Sequence, residues 1–363
     1  MPTFSIVIPC YNQAHFLHES LSWVLAQSFQ DWEAIVVNDG SSDNTNQVAS
    51  EWIAKDSRIK LITQQNQGLS AARNVGIQVS TGKYIALLDA DDKFGPEYLS
   101  QAVIHLDQGS DLVFCGYTYF NAGGSIHKKV SLSPHLDFAE ILSRNLVPPV
   151  SVSFNKKVLD VTGNFDTSLK SAEDWDLWIR MYKCDVRLSV IPESLVYYRI
   201  SADSMSRQAF TMYAALKQVA HRSLIADPRL PRYKNLSIAG SYRLTENLKK
   251  SLMMCMGVAV IQGRIRDAVE FIRNEAAACN MTFVPEDFAS MCSYLSFRYS
   301  VNDDDINWVF QTLMPQFDQF FIELNWPGLD KRKSLQYVFA IHRKIRNRKK
   351  WGIFSPLINQ FSW

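Results

Sequence analysis

The first 120 residues change their hydrophobic period repeatedly. Short apolar runs, rich in β-branched and aromatic residues, occur at 4–8 (FSIVI), 32–37 (WEAIVV), 59–63 (IKLIT), 84–89 (YIALLD) and 111–120 (DLVFCGYTYF). Their near-continuous apolarity suits strands covered on both faces. The gaps read as helices. Residues 15–27 (HFLHESLSWVLAQ) put Phe16, Leu17, Leu21, Val24 and Leu25 on one side, and 43–54 and 69–78 fill the next two gaps. Strand and helix in alternation predict an α/β fold, with a doubly wound, mostly parallel sheet and right-handed crossovers.

Later segments change character. A hairpin is expected around NAGG (121–124), a short helix near 137–144 and a strong helix from Glu173, followed by two short strands, VRLSVI and LVYYR. From about 206 to 325 the sequence reads as almost wholly helical, with a helical hairpin turning at Gly263 and a break at Pro327-Gly328. Three regions are therefore expected: 1–205, a helical domain at 206–330, and a basic amphipathic tail at 331–363.

Composition narrows the class. The chain has 363 residues, of which 47% are hydrophobic and 20% charged, as in ordinary globular proteins. Its longest candidate span, LMMCMGVAVI from Leu252, is about half a bilayer. The N-terminus reads as a strand rather than a signal sequence. Six cysteines without a CxxC pair suggest reduced thiols in a cytoplasmic protein.

In an open doubly wound sheet, ligands bind beyond the carboxyl ends of the strands. Polar clusters stand there: PCYN (9–12), NDGSSDNT (38–45) and DADD (89–92). Three carboxylates this close repel unless a cation joins them, and Mn2+ or Mg2+ suits oxygen ligands of this kind. Turn chemistry accounts for Gly40 to Asp43, and Asp43 fits a cap on the next helix. It accounts less well for Asp39, which could accept a hydrogen bond from a base N–H. Gly68 allows close approach at a helix N-terminus, and Arg73 adds a charge suited to diphosphate. In SAEDWDLWIRM (171–181), Ser171 with Asp174 fits a capping box, Asp176 and Arg180 form an i, i+4 pair, and Glu173 or Asp174 could serve as a general base.

Together, SIVIPCYNQ, VVNDGSSDNT, NQGLSAARNVG, YIALLDADD, GNFDTSL (163–169), EDWDLWIRM and YYRISADSMS (197–206) resemble the family 2 glycosyltransferases, inverting enzymes of the GT-A fold. The motifs occur in the family's order over about 200 residues; the C-terminal 160 lie outside the likeness. The resemblance implies roles. Pro9, Tyr11 and Asp39 would hold the nucleotide base, Gly68 and Arg73 the diphosphate, and Asp89 with Ala90 the ribose side. Asp91 would hold the metal. Asp174, beside Glu173, would be the base, and Trp175 and Trp178 would border the acceptor or equally belong to the core.

The implied reaction moves one sugar of hexosyl or N-acetylhexosaminyl type from a nucleotide-sugar, UDP-linked by family frequency, to a glycan or lipid-linked hydroxyl. The QxxRW pattern of processive synthases is absent. Ser201 stands where many relatives have histidine, which leaves a decayed nucleotide-sugar-binding protein as an alternative. A nucleotidyltransferase is a second alternative, but IPCYNQ replaces the GxGxR-type loop it would need. Residues 331–363 carry nine Lys/Arg and no Asp/Glu. With Leu335, Val338, Phe339 and Ile345 at helical spacing, they suit a helix on the anionic inner face of a membrane. The contrary expectation is a last helix packed on the body. No motif points to nucleic acid.

Overall fold

The computed structural model describes residues 1–121, 124, 126–200, 208–231, 241–292, 309–340 and 343. The side chains of 127, 241–245, 309 and 310 fall outside that description, as do Ser201 and Ile345. Backbone contacts divide the chain into two units. The first comprises 1–201 and 218–244, the second 202–217 and 245–363.

The first unit is built on one mixed sheet. In chain order its elements begin β1 (Phe4–Cys10), α1 (Ala14–Leu25), β2 (Trp32–Asp39), α2 (Thr45–Lys55), β3 (Ile59–Gln64), α3 (Leu69–Val79) and β4 (Tyr84–Leu87). There follow β5 (Lys93–Phe94), α4 (Tyr98–Asp107), β6 (Leu112–Asn121), β7 (Ile126–Val130), β8 (Val152–Asn155), α5 (Leu159–Thr162), α6 (Glu173–Lys183) and β9 (Leu188–Ile200). The strand order is β3-β2-β1-β4-β8-β6-β9-β5, with β7 on β6. Pairings β1–β2, β1–β4, β2–β3 and β6–β9 are parallel; β8, β5 and β7 run against their neighbours. The sheet is therefore mostly parallel, as the alternation of periods predicts.

Every residue of β1 and β2 is buried, which is why these strands read as unbroken apolar runs. α3 lies close against them. A Cβ on its Gly76 would stand 2.5 Å from a Val7 methyl and 3.2 Å from one of Val37. That close approach fixes where Arg73, one turn earlier, enters the interior.

The hairpin at NAGG and the short helix near 137–144, a 3₁₀ turn at Phe138–Leu142, are both present. VRLSVI and LVYYR are not two strands. They form the single β9, which bulges where it passes Gly116. Cys115 pairs with Ile191, Gly116 with Ser194 and Tyr117 with Val196. A Cβ on Gly116 would meet three carbonyl oxygens at 2.7–2.8 Å, so the bulge needs glycine on its partner strand.

The second unit is helical. It holds the first half of α7 (Ala209–Leu224), then α8 (Ser241–Ile261) from Thr245 onward, α9 (Ile265–Cys279), α10 (Met314–Leu324) and α11 (Lys331–Val338). Gly263, at φ 78°, turns α8 into α9, and Gly328, at φ 75°, lies between α10 and α11. Phe288, Phe317 and Phe320 are fully buried with Met253, Met256 and Ile272. Here one expectation is corrected. Leu335, Val338 and Phe339, read as a membrane-facing stripe, pack into this core, and Phe339 meets Phe317 edge-on at 5.5 Å. Val338 and Phe339 are covered by protein, and Leu335 partly so.

α6 is anchored by charge. Asp176 and Arg180 are both almost fully buried and paired at 2.9 Å, as the i, i+4 spacing predicts. Asp176 also takes Arg222 at 3.1 Å and Arg229 at 2.9 Å. Arg180 in turn donates to the carbonyls of Thr162, Gly163 and Asn164. Removing one partner of a buried pair strands the other charge and costs about 3–5 kcal/mol. Asp176→Ala is expected to lower stability by that amount in urea denaturation. Glu140→Ala, which breaks the exposed Glu140–Arg144 pair, is expected to change it by less than about 1 kcal/mol.

Candidate active site

The loops at the carboxyl ends of β1 and β2 are laced together. Asn12, at φ 54°, accepts from Ser42 N–H through Oδ1 at 2.8 Å, and its own N–H donates to Ser41 Oγ at 3.0 Å. Asp43 accepts from Ala14 N–H at 3.0 Å and Thr45 N–H at 3.1 Å. It thus ties the starts of α1 and α2, although the cap position itself falls on Asn44, with no side-chain bond. Pro9 is buried and Tyr11 is 50% exposed, open to the mouth of the sheet.

Asp39, at the end of β2, is 3% exposed. It accepts from Gln64 Nε2 at 2.7 Å, Gln67 N–H at 2.9 Å and Gly68 N–H at 2.8 Å. The carboxylate thereby gathers the loop that starts α3, and Gly68 supplies the φ of 90° that turns it.

Arg73 joins three elements. Its guanidinium is 1% exposed and bonds Asp89 at 2.7 Å and Glu173 at 2.5 Å, 5.3 Å from the Phe165 ring. The resemblance assigns it to diphosphate; in the structure both terminal nitrogens hold carboxylates from β4's end and α6's start. Beside it, Asn74 exchanges two bonds with the Phe165 backbone, at 2.9 and 3.0 Å, so α3 also holds the GNFDTSL loop.

The acidic turn follows β4. Asp92 N–H donates to Asp89 carbonyl oxygen at 2.9 Å. Ala90 is fully buried and offers only its backbone. Burial, and then the charge of Asp89, pushes the Asp91 carboxyl up to about 6. Asp92 is 1% exposed, raised well above the usual range by burial and by Asp91, and its Oδ2 has no partner. Among the described residues no group of three or more His, Cys, Asp or Glu is arranged to hold a metal alone. The turn does fit a cation completed by phosphate oxygens and water. Its carboxylates are destabilised by one another, and one buried oxygen lacks a donor.

α6 brings the last carboxylates. Its start is not a capping box. Ala172 occupies the cap position at φ 57°, with no side-chain bond. The left-handed turn frees Asp174 to accept from Trp175 N–H and from Asn145 Nδ2, each at 2.8 Å. Burial, and then the adjacent Glu173, raises Asp174 to about 7, against the opposing pull of Asn145 and Arg73. The two tryptophans are core residues rather than an acceptor border. Trp175 is 3% exposed and donates to the Ile141 carbonyl at 2.6 Å, and Trp178 is fully buried against Phe114.

Two residues here escape sequence reasoning. Asn145 sits in a loop with no motif around it. Arg199 marks the YYR pattern, yet it also donates from Nε to the Asp91 carbonyl at 2.7 Å and from its N–H to Asp92 at 2.8 Å. A lone arginine in an aromatic strand is the one signal that points to it.

The comparisons bear on this arrangement. Residues 5–158 match the profile of Glycosyl transferase family 2. The uncharacterized glycosyltransferase MJ1057 of Methanocaldococcus jannaschii is 30% identical over 208 residues, covering 55% of this chain and 71% of that protein. The chain belongs to glycosyl transferase family 2. It spans from about a third to just under two thirds of the length of several other curated relatives. In fold, this family 2 chain is similar to S. aureus TarS 1–349, solved with UDP-GlcNAc (TM-score 0.52, 19% identity, 95% of this chain and 91% of that one). It is likewise similar to the mannosyltransferase PcManGT of Pyrobaculum calidifontis, solved with GDP-Man and Mn2+ (TM-score 0.53, 17% identity, 90% and 88%). These neighbours place it in the GT-A class.

An acid whose pKa is raised in the folded state loses stability as pH climbs from its unfolded value to its folded one. For Asp174 that window runs from 3.8 to about 7. Denaturation of wild type and Asp174→Asn across pH 4–8 should show the variant gaining on wild type through this window. Parallel curves would contradict the assignment.

Proposed function

We propose that this chain transfers a single sugar, with inversion, from a UDP-linked donor to a hydroxyl of a glycan or lipid-linked acceptor. Asp174 carries this reading: a carboxyl raised to about 7 at the head of a rigid helix, linked through Glu173 and Arg73 to the acidic turn. A general base works best when its pKa lies near the working pH.

In this proposal Asp39 and the Pro9–Tyr11 loop receive the base, and Asp89 faces the ribose. Asp91 holds Mn2+ or Mg2+, the ion named with GDP-Man in one fold neighbour being Mn2+. Such an ion, when bound, neutralises charge on the departing diphosphate. Asp174 takes the proton of the acceptor hydroxyl as its oxygen attacks the anomeric carbon from the face opposite the leaving group. Asn145 holds the carboxylate in place, and Arg73 keeps Glu173 from drawing the same proton. Gly68 and Arg73 shape the diphosphate side, Arg73 by fixing its neighbours rather than by reaching out. Val338 and Phe339 of the tail are packed; attachment of the residues beyond 343 to an anionic membrane is part of the same proposal.

Two measurements test it. A thermal-shift panel of UDP, dTDP, GDP and CDP, with and without Mn2+, should show a metal-dependent shift by UDP that Asp91→Ala abolishes. A shift by GDP alone would replace the donor, and no shift at all would refute the reading. With a donor in hand, kcat/KM should fall below about pH 7 as Asp174 protonates. Asn145→Leu should move that limb to higher pH, and Asp174→Asn should lower the rate by roughly 10²–10⁴.

A further inference from the structure

Arg199, on β9, meets the acidic turn through contacts separate from those of Arg73. It is 3% exposed. Its guanidinium stacks between the rings of Phe16 and Phe120, 4.3 Å from each centroid. Nε donates to the Asp91 carbonyl at 2.7 Å, and its main-chain N–H donates to Asp92 Oδ1 at 2.8 Å. Nη2 is tied to Glu19 on α1, and the other oxygen of Glu19 holds Lys93, just after the turn. Lys93 rests on Phe120 as well, 4.4 Å away.

These contacts differ in kind from those of Arg73. Arg73 neutralises a side chain, Asp89. Arg199 grips the backbone of Asp91 and one carboxylate oxygen of Asp92, so it fixes the peptide planes from which the Asp91 side chain projects. The aromatic sandwich and Glu19 leave the guanidinium no other place to go. A lysine could supply the charge but not the planar fork that spans Asp91 and Glu19.

We infer that Arg199 is a positioning residue. It braces the Asp91–Asp92 turn through the turn's backbone and Asp92, with Glu19 as its tether, so that Asp91 is presented to a divalent cation without rearrangement. This rests on the glycosyltransferase reading above. Residues that orient a metal ligand typically contribute about 10–100-fold to metal affinity.

The test needs no turnover. Mn2+ binding is followed by the electron paramagnetic resonance of the free ion, with UDP or GDP present, in wild type, Arg199→Lys and Glu19→Gln. Nucleotide binding without metal is measured alongside. Arg199→Lys should weaken Mn2+ binding roughly tenfold or more and leave metal-free nucleotide binding unchanged. Glu19→Gln, at a half-exposed site, should weaken it less, in the same direction. Wild-type Mn2+ affinity in Arg199→Lys would overturn the inference. Should that variant fail to fold, unchanged affinity in Glu19→Gln would overturn it instead. Wild type binding no Mn2+ with either nucleotide would remove the glycosyltransferase reading and the inference together, an outcome told apart by the wild-type protein alone.

Discussion

Arg73 is the residue on which the site's geometry depends. A fully buried guanidinium is tolerable only with its charge matched, and the chain matches it twice, with Asp89 from the sheet and Glu173 from α6. Three segments far apart in sequence are thereby fixed to one point: α3, the end of β4, and the helix that carries Asp174. Loss of Arg73 would leave both carboxylates without their counter-charge. The arrangement thus does more than bind: it makes correct assembly of the site a condition of burying the arginine.

The electrostatics divide sharply across this point. On one side, Asp174 is lifted toward neutrality, a state suited to exchanging a proton. On the other, burial lifts Asp91 and Asp92, with the charge of Asp89 adding to Asp91 and those of Asp91 and Asp89 adding to Asp92, a state suited to receiving a cation. Both shifts start from burial, and the difference lies in the neighbours. Asp174 has one neighbouring carboxylate, Glu173, offset by an amide donor and Arg73, whereas the turn gathers three carboxylates against Arg199 and keeps a partnerless oxygen.

Much of this was legible in the sequence. The strands of the first 120 residues, the helices between them and the polar clusters at their carboxyl ends all follow from period and composition, because two-sided burial writes itself as unbroken apolarity. The i, i+4 pair Asp176–Arg180 was equally legible. What was not legible depended on distance in the chain. Nothing near Asn145 tells that it reaches Asp174, and nothing near Arg73 tells that its charge faces inward. Trp175 and Trp178 look like an aromatic binding edge because they sit beside acids, yet α6 is buried on nearly all sides. The capping box failed for a local reason: Ala172 takes a left-handed turn that sequence statistics seldom grant to alanine. Leu335, Val338 and Phe339 show the same ambiguity, since an apolar stripe on a helix does not say whether lipid or protein will cover it.

The bulge in β9 links chain length to chemistry. Between Ile191 and Val196, β9 advances five residues while β6 advances two. Side chains on a strand alternate faces, so any single-residue change of length in this elbow would exchange the faces of everything after it. Arg199 and the two tyrosines before it, at 197 and 198, lie just beyond. Insertions and deletions at 192–195 are therefore not silent loop variation: one residue more would present Tyr198 to the acidic turn in place of the guanidinium, and one fewer would present Ile200.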